Sequence, residues 1–155
     1  MSLKVSLILT TYNCKDHFRR TMESVESQDY SEIEVVIKDG CSTDGTVELI
    51  QSYAQKFKYP IIWKSQKDAG IYDAINQGYA MTTGDIVAVF NDLYTRTDAV
   101  TLLVGAIERE HTDGVHADLV YATDTEIKRK DSDACRVLLS GIFCSYAVCK
   151  GNRTV

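Results

Sequence analysis

The sequence predicts an α/β fold: a mostly parallel sheet covered by helices on both faces. Short segments of nearly continuous apolar character alternate along the chain with segments whose apolar residues recur at helical spacing. Apolar segments of that length are typical of parallel strands, which are buried on both faces. The chain has 155 residues, a length that favours a single domain.

Four apolar segments of strand length form the predicted sheet: KVSLILTT (4–11), IEVVIK (33–38), IIWKS (61–65) and DIVAVF (85–90). A segment with one apolar helical face follows each strand. The predicted faces are Phe18, Met22 and Val25 in the first helix; Val47, Ile50, Ala54 and Phe57 in the second (44–57); Ile71, Ala74, Ile75 and Gly78 in the third (70–81); and Val100, Leu103, Val104 and Ile107 in the fourth (99–110). A further strand is predicted over DLVYATDTEI (118–127), and an exposed, charged hairpin over TDTEIKRKDSD (123–133).

Composition and charge restrict the classes of partner. The net charge of −5 argues against a nucleic acid, which requires a basic protein face. No apolar run reaches the roughly 18 residues that a membrane span needs, and the N-terminus enters a strand without the pattern of a secretory signal. The five cysteines are scattered without C-x-x-C spacing, which predicts reduced thiols rather than a zinc site. These features predict a cytoplasmic protein.

Polar residues follow the predicted strands at their carboxyl ends, in the segments TTYN, KDGCSTDGT, QKDAG and ND. In an open parallel sheet these ends share one edge, where ligands bind. Ser42, Thr43 and Asp44 are suitable caps for the helix that follows. A turn does not account for Asp39, an acid at the end of an apolar strand, and its carboxylate is able to accept hydrogen bonds from the N–H groups of a base. No G-x-G-x-x-G or P-loop lysine pattern follows a strand, which disfavours dinucleotide oxidoreductases and NTPases.

Four motifs, taken in order, resemble the N-terminal half of a family 2 glycosyltransferase with the GT-A fold. They are T-x-Y-N after the first strand, D-G-x-S-T-D-G-T after the second, G-x-x-x-A-x-N-x-G, and T-G-D before the fourth strand, and they span residues 3–92. The resemblance implies one domain over 1–155, with a nucleotide-sugar-binding half (1–92) and a partial acceptor-side half (93–155). RVLLSGIFCSYAVCK (136–150) is similar, more weakly, to the acceptor-side segment of bacterial members.

The resemblance also implies which residues bind the donor: Thr11, Tyr12, Asp39, Asp68, Gly70, Asp73, Asn76 and Asn91. Tyr12 would lie against the nucleobase, Asp39 would accept hydrogen bonds from the edge of that base, and Asp68 would face the ribose or the diphosphate. For Asp73 and Asn76 a position on the exposed helix surface is an equally good interpretation. Gly70 and Gly84 are interpreted as residues that the backbone conformation requires.

The family carries an acidic element N-[SA]-D-D after the fourth strand, and its last acids hold Mg²⁺ or Mn²⁺ against the donor diphosphate. This chain has F-N-D-L-Y there, so Asp92 is the one implied metal ligand. Three explanations stay open: the site works with one carboxylate, it is degenerate, or a mobile loop is missing from the recorded chain. The general base that inverting transfer requires is not identified, although four aspartates lie in the C-terminal part of the chain: Asp118, Asp124, Asp131 and Asp133.

The resemblance therefore implies an inverting, metal-assisted glycosyltransferase that builds bacterial surface polysaccharide. The donor would be a UDP-sugar and the acceptor a glycan or lipid-linked saccharide, met in the cytoplasm or by peripheral association at the inner face of the membrane. A truncated or degenerate GT-A domain that binds a nucleotide sugar or a partner without turnover is the alternative. A sugar-1-phosphate nucleotidyltransferase is disfavoured because TTYNCKD is not the glycine-rich, basic loop that this class carries after its first strand.

Overall fold

The computed structural model describes residues 2–116, 119–122, 127–130 and 146–149, the last three segments and residue 116 through their backbone. The helices and strands are β1 (Val5–Thr11), α1 (Lys15–Glu26), β2 (Ile33–Asp39), α2 (Thr46–Lys56), β3 (Ile61–Ser65), α3 (Ile71–Met81), β4 (Ile86–Val89), α4 (Ala99–Glu110), β5 (Gly114–His116), β6 (Leu119–Ala122), β7 (Ile127–Lys130) and β8 (Tyr146–Cys149). Among the described helices, none is long and apolar enough to cross a membrane.

Six of the described strands form one sheet in the order β3-β2-β1-β4-β8-β5. The first four are parallel, whereas β8 runs antiparallel to both of its neighbours, β4 and β5. The register aligns Thr11 with Asp39 and Asp39 with Ser65, so three strands end side by side. The mostly parallel α/β fold is thus confirmed, and the carboxyl ends of the parallel strands β1–β4 meet at one edge.

The strands alternate between two cores, which explains their nearly continuous apolar character. Residues such as Leu7 and Leu9 pack on the face covered by α1, α2 and α4, while Ile8 between them packs on the opposite face. Of the described helices, α3 covers that opposite face, and Gly78 brings it very close to β1. A Cβ atom on Gly78 would lie 2.7 Å from Cγ2 of Ile8.

The predicted helix faces agree with the structure in α1 and α4 and differ in part elsewhere. In α2 the predicted Ala54 is exposed and Val47 only half-buried, because Ile50 turns inward together with Leu49 and Tyr53. In α3 Ala74 and Gly78 are buried as predicted, but Ile71 is 55% exposed. Ile71 lies in the first turn of α3, at the edge of the sheet, and lines a surface cavity instead of the core.

The C-terminal strands differ most from the sequence expectation. The strand predicted over 118–127 is present at its start as β6, but Ile127 begins a second strand, β7, which pairs with β6 in antiparallel register. β5 and β8 were not predicted at all; they have three and four residues, and each depends on a partner distant in sequence. The sequence also predicted an exposed, charged hairpin over residues 123–133. The side chains of these residues lie outside the part of the chain that the structure describes.

The T-G-D motif lies at the amino end of the sheet, away from the predicted ligand edge. Glu34 is buried there and accepts hydrogen bonds from Ser6 and from both N–H and hydroxyl of Thr83, while Lys4 Nζ pairs with it at 2.6 Å. Burial raises the pKa of Glu34, but the donors outweigh it and lower the pKa to about 2. A Cβ atom on Gly84 would lie 2.7 Å from the Lys4 carbonyl oxygen, which supports the interpretation of this glycine as a backbone requirement.

Candidate functional site

A cavity of about 560 Å³ opens at the carboxyl ends of the strands, between the loop after β1 and the start of α3. The described residues that line it are Thr10, Thr11, Tyr12, Cys14, His17, Gly40, Lys67, Asp68, Gly70, Ile71 and Ala74. They come from the end of β1, from the loops after β1 and β2, from the β3–α3 connection, and from the first turns of α1 and α3. An open parallel sheet places its ligand site at this edge. The volume is within the range of small-molecule sites.

The mouth of the cavity is apolar and aromatic. Tyr12 is 68% exposed. In the described part of the chain, the exposed large apolar side chains are Tyr12, Ile71 and Tyr72, the last of which is 82% exposed. A Cβ atom on Gly40 would lie 3.2 Å from Cδ2 of Tyr12 and 3.1 Å from Oδ2 of Asp68. The bare glycine therefore allows the tyrosine ring and the aspartate to share one wall. An exposed aromatic ring beside a cavity is suited to stack on a flat ligand.

Asp39 lies behind this wall and faces the protein instead of the cavity. Its fully buried carboxylate accepts hydrogen bonds from Thr11 Oγ1 (3.0 Å), Ser65 Oγ (2.6 Å), and both N–H (2.9 Å) and hydroxyl of Ser42. Burial raises the pKa of Asp39, but the hydrogen bonds from Ser42, Ser65 and Thr11 outweigh it and hold the pKa below its usual range. In this conformation Asp39 ties the ends of three strands together and presents no oxygen to a ligand.

The D-G-C-S-T-D-G-T motif also connects the first two loops. Asn13 N–H donates to Ser42 Oγ (2.9 Å), and Thr43 N–H donates to Asn13 Oδ1 (2.8 Å). None of the three predicted caps is the N-cap of α2, which is Gly45. Asp44, directly before it, accepts the N–H of Thr46 (3.0 Å). These contacts fix the loop that carries Tyr12 against the loop that carries Gly40.

Asp68 stands on the cavity wall, held by a buried lysine. Its Oδ2 pairs with Lys38 Nζ at 2.9 Å and its Oδ1 accepts the N–H of Gly70 at 3.1 Å. The hydrogen bond from Lys38 holds the pKa of Asp68 below its usual range. Gly70 has a φ of +119°, a backbone conformation that favours glycine, and it starts α3 at the cavity.

Besides Asp39, and Asn91 described below, two further predicted donor residues do not line the cavity. Asp73 accepts hydrogen bonds from Ala69 N–H and Gln77 Nε2, both at 2.9 Å, and so joins the first turn of α3 to the segment before the helix and to the next turn. Asn76 is exposed on α3. For both, the structure favours the helix-surface interpretation that the sequence left open.

Asn91 is fixed at both ends beside β1. Its Oδ1 accepts the N–H of Thr10 at 2.8 Å, and its backbone oxygen accepts a hydrogen bond from His17 Nε2 at 2.8 Å. Asp92 follows directly and is half-buried. Within the described residues, no group of three or more His, Cys, Asp or Glu side chains is placed to hold a metal ion, so Asp92 would offer a cation one carboxylate.

Sequence reasoning missed Lys38, His17 and Ile71. A lysine inside the strand IEVVIKD is the one signal that was available for Lys38, because charged residues are rarely fully buried unless they are paired. Cys14 lines the cavity, but burial raises the pKa of its thiol, which disfavours a nucleophilic role. Of the cysteines whose side chains the structure describes, Cys14 and Cys41 form no disulfide.

Residues 6–142 match the family model described as Glycosyl transferase family 2. The chain belongs to this family. Among curated relatives, an uncharacterized glycosyltransferase of Nostoc sp. is 31% identical over 156 residues, which cover 97% of this chain and 47% of that protein. An uncharacterized glycosyltransferase of Mycobacterium tuberculosis is 36% identical over 106 residues, 66% of this chain and 39% of the relative. This family 2 chain thus spans less than half the length of these relatives.

Solved structures agree with the assignment. S. aureus TarS 1-349 superposes with a TM-score of 0.66 at 25% identity, covering 76% of this chain and 36% of that chain. The mannosyltransferase PcManGT from Pyrobaculum calidifontis, in complex with GDP-Man and Mn²⁺, superposes with a TM-score of 0.69 at 23% identity, covering 79% and 36%. These neighbours have the GT-A fold, which the sequence motifs predicted.

Proposed function

We propose that this chain is the donor-binding part of a glycosyltransferase that moves a sugar from a nucleoside-diphosphate donor, a UDP-sugar, to a glycan or lipid-linked saccharide. The observation that carries the proposal is the cavity at the carboxyl edge of the sheet, with Tyr12 exposed at its mouth and Asp68 on its wall. Related TarS structures contain UDP-GlcNAc or UDP. The proposal includes a donor half (1–92), an acceptor half that begins at 93, and action in the cytoplasm on surface polysaccharide.

In this proposal Tyr12 stacks on the base and Asp68 accepts hydrogen bonds from ribose hydroxyl groups, while Thr11 and Gly70 shape the wall between them. Asp39 positions the strand ends. A direct hydrogen bond between Asp39 and the base would require the carboxylate to exchange one of its serine or threonine donors for the ligand.

Asp92 is the proposed ligand of a divalent metal ion, Mg²⁺ or Mn²⁺. Such ions are commonly held by one or two carboxylates together with substrate phosphates, so one aspartate fits if the diphosphate supplies further oxygens. The ion would supply charge neutralisation of the leaving diphosphate. Asn91, fixed by Thr10 and His17, would place Asp92 beside the cavity. The candidates for the general base, Asp118, Asp124, Asp131 and Asp133, lie outside the described residues.

A domain that binds a nucleotide sugar or a partner without turnover is the second candidate. The observation that favours it is the single carboxylate of Asp92 together with the lack of a three-ligand cluster in the described residues. This candidate keeps the nucleotide cavity and dispenses with the metal.

Calorimetric titration with UDP, with and without Mn²⁺, separates the two candidates. A transferase site predicts UDP binding that strengthens when Mn²⁺ is present. Metal-independent binding would favour the domain without turnover, and no binding in either condition would refute both.

The titration has an internal test of the cavity. Tyr12→Ala should weaken UDP binding by about 1–3 kcal/mol, the usual contribution of one base stacked on an aromatic ring. Tyr72→Ala is the matched control, because Tyr72 is exposed but does not line the cavity. Equal losses in the two variants would contradict stacking on Tyr12.

A further inference from the structure

A fully buried lysine lies beneath the cavity. The side chain of Lys38 is 0% exposed, and its ammonium donates to the backbone oxygen of Asp39 (2.9 Å), to the backbone oxygen of Gln66, and to Asp68 Oδ2 (2.9 Å). An ammonium has three donors, and all three have acceptors within the protein. The cation is therefore held at one point with one orientation.

Stability alone is a weak reason for a charge at this position. Removing an ion pair from water costs several kcal/mol per ion, and apolar residues of similar volume often replace such pairs without loss of stability. In the strand around Lys38, Val36 and Ile37 are fully buried, and the adjacent Asp39 carboxylate is buried but takes its hydrogen bonds from Ser42, Ser65 and Thr11. A role in the neighbouring cavity explains the retained cation better than packing does.

The contacts of Lys38 show what it does for the cavity. Lys38 Nζ pairs with Oδ2 of Asp68, and Gly70 N–H donates a hydrogen bond to Oδ1, so the carboxylate is fixed at the cavity wall. The side chain of Asp68 is 16% exposed. The same ammonium joins the end of β2 to the β3–α3 connection through Asp39 and Gln66. Without Lys38, the wall aspartate would lose the partner that orients it.

Charge gives the second part of the argument. Two carboxylates, Asp39 and Asp68, lie at or behind the wall, and each raises the energy of a bound polyanion. Lys38 offsets one of them, and because it is buried its charge is screened less by water and salt than that of an exposed lysine. Lys67, which also lines the cavity, is exposed.

We propose that Lys38 is a positioning and specificity residue of the nucleotide site: it orients Asp68 toward the ligand and offsets its charge, so that the cavity accepts a nucleoside diphosphate in preference to the uncharged nucleoside. This inference rests on the proposed function. Lys38 acts through Asp68 and through its field, without contact with the ligand.

The test compares UDP with uridine. Affinities are measured by calorimetry, with uridine as a competitor of UDP, for the unaltered chain, Lys38→Met and the double variant Lys38→Met/Asp68→Asn. Lys38→Met should lower the ratio of UDP to uridine affinity about tenfold, because an uncompensated carboxylate then faces the diphosphate. The double variant removes both charges and should return the ratio to within about threefold of the unaltered chain.

Lys64→Met is the matched control. Lys64 is the register partner of Lys38 on the neighbouring strand β3, but its side chain is exposed. Water and salt screen the charge of this exposed lysine, so its loss should leave the ratio of UDP to uridine affinity unchanged at physiological salt. An equal fall in the ratio for Lys64→Met and Lys38→Met would show a general charge effect and refute the specific role.

Thermal unfolding shows whether each variant folds. If Lys38→Met does not fold, the single variant Asp68→Asn provides the test. Because this variant keeps Lys38 and removes the neighbouring negative charge, its ratio of UDP to uridine affinity should equal or exceed that of the unaltered chain. A fall of the ratio in Asp68→Asn, or a failure of the double variant to restore it, would refute the charge argument. If the unaltered chain binds neither UDP nor uridine, the proposed function fails; if it binds UDP and Lys38→Met leaves the ratio unchanged, this inference alone fails.

Discussion

Asp39 shows how one residue in this family 2 chain differs from its sequence-based role. Position at a strand end predicted a carboxylate that faces a base, whereas the observed carboxylate accepts hydrogen bonds from Thr11, Ser42 and Ser65 within the protein. The sequence shows that an acid stands at the end of β2. It does not show that two serines and a threonine from separate loops converge on it, since that depends on the register of three strands.

Asp39→Ala should lower the free energy of unfolding by about 2–3 kcal/mol, because buried donors lose a charged acceptor. It should also weaken UDP binding by roughly 1.5–3 kcal/mol, the scale of a hydrogen bond to a charged group, through the displaced loops. Denaturant unfolding and calorimetry measure the two effects. Asp16→Ala, at an exposed aspartate of α1, is the control. Lost binding with unchanged stability would favour direct contact with the ligand.

At the scale of elements, the position of α3 depends on Gly78. Periodicity predicted α1 and α4 well, since their inward residues are clearly apolar. It misassigned part of α2, where the inward Tyr53 has a polar hydroxyl group and the outward Ala54 is apolar. The sequence did not predict β5 and β8, because strands of three and four residues carry no local signal and their pairing joins residues 30 to 34 positions apart.

Gly78→Ala should destabilise the protein by about 1–3 kcal/mol, because the new methyl group overlaps the buried Ile8 side chain. Gly105→Ala in α4 is the matched control: apart from its chain neighbours and the backbone of its own helix, no described heavy atom lies within 4 Å of its Cβ position. Alanine there should stabilise the helix by up to about 1 kcal/mol. Denaturant unfolding measures both changes, and a neutral or stabilising effect of Gly78→Ala would contradict the close packing of α3.

At the scale of the whole molecule, one end of the sheet forms the candidate site and the other end stabilises the fold. The carboxyl end holds the cavity, and the amino end is joined by Glu34, which connects β1, β2 and the α3–β4 connection. Motif order predicted the family, the fold and the edge where Tyr12 and Asp68 meet. It did not predict the burial of Lys38, because its ion-pair partner lies 30 residues away along the chain.

Glu34 should make the stability of the molecule sensitive to acid. Its folded-state pKa, about 2, is below the ordinary value of 4.5, so its stabilisation is fully present above about pH 4.5 and is lost as the pH falls toward 2. Glu34→Gln should cost about 2 kcal/mol at pH 7 and show a smaller loss of stability between pH 5 and pH 2.

Urea unfolding at a series of pH values measures this effect. Glu32→Gln is the control, because Glu32 lies two residues earlier and is exposed. Parallel pH profiles for the unaltered chain and Glu34→Gln would contradict the assigned role.

The place of β8 in the sheet affects how the newly made chain folds. β4 and β5 leave the ribosome before the strand that lies between them, so their facing edges stay open until residue 149 has emerged. Unpaired strand edges attract other chains. Translation that stalls between residues 116 and 146 would therefore expose an aggregation-prone intermediate. A chaperone that covers the open edges of β4 and β5 would protect the nascent protein until β8 has emerged.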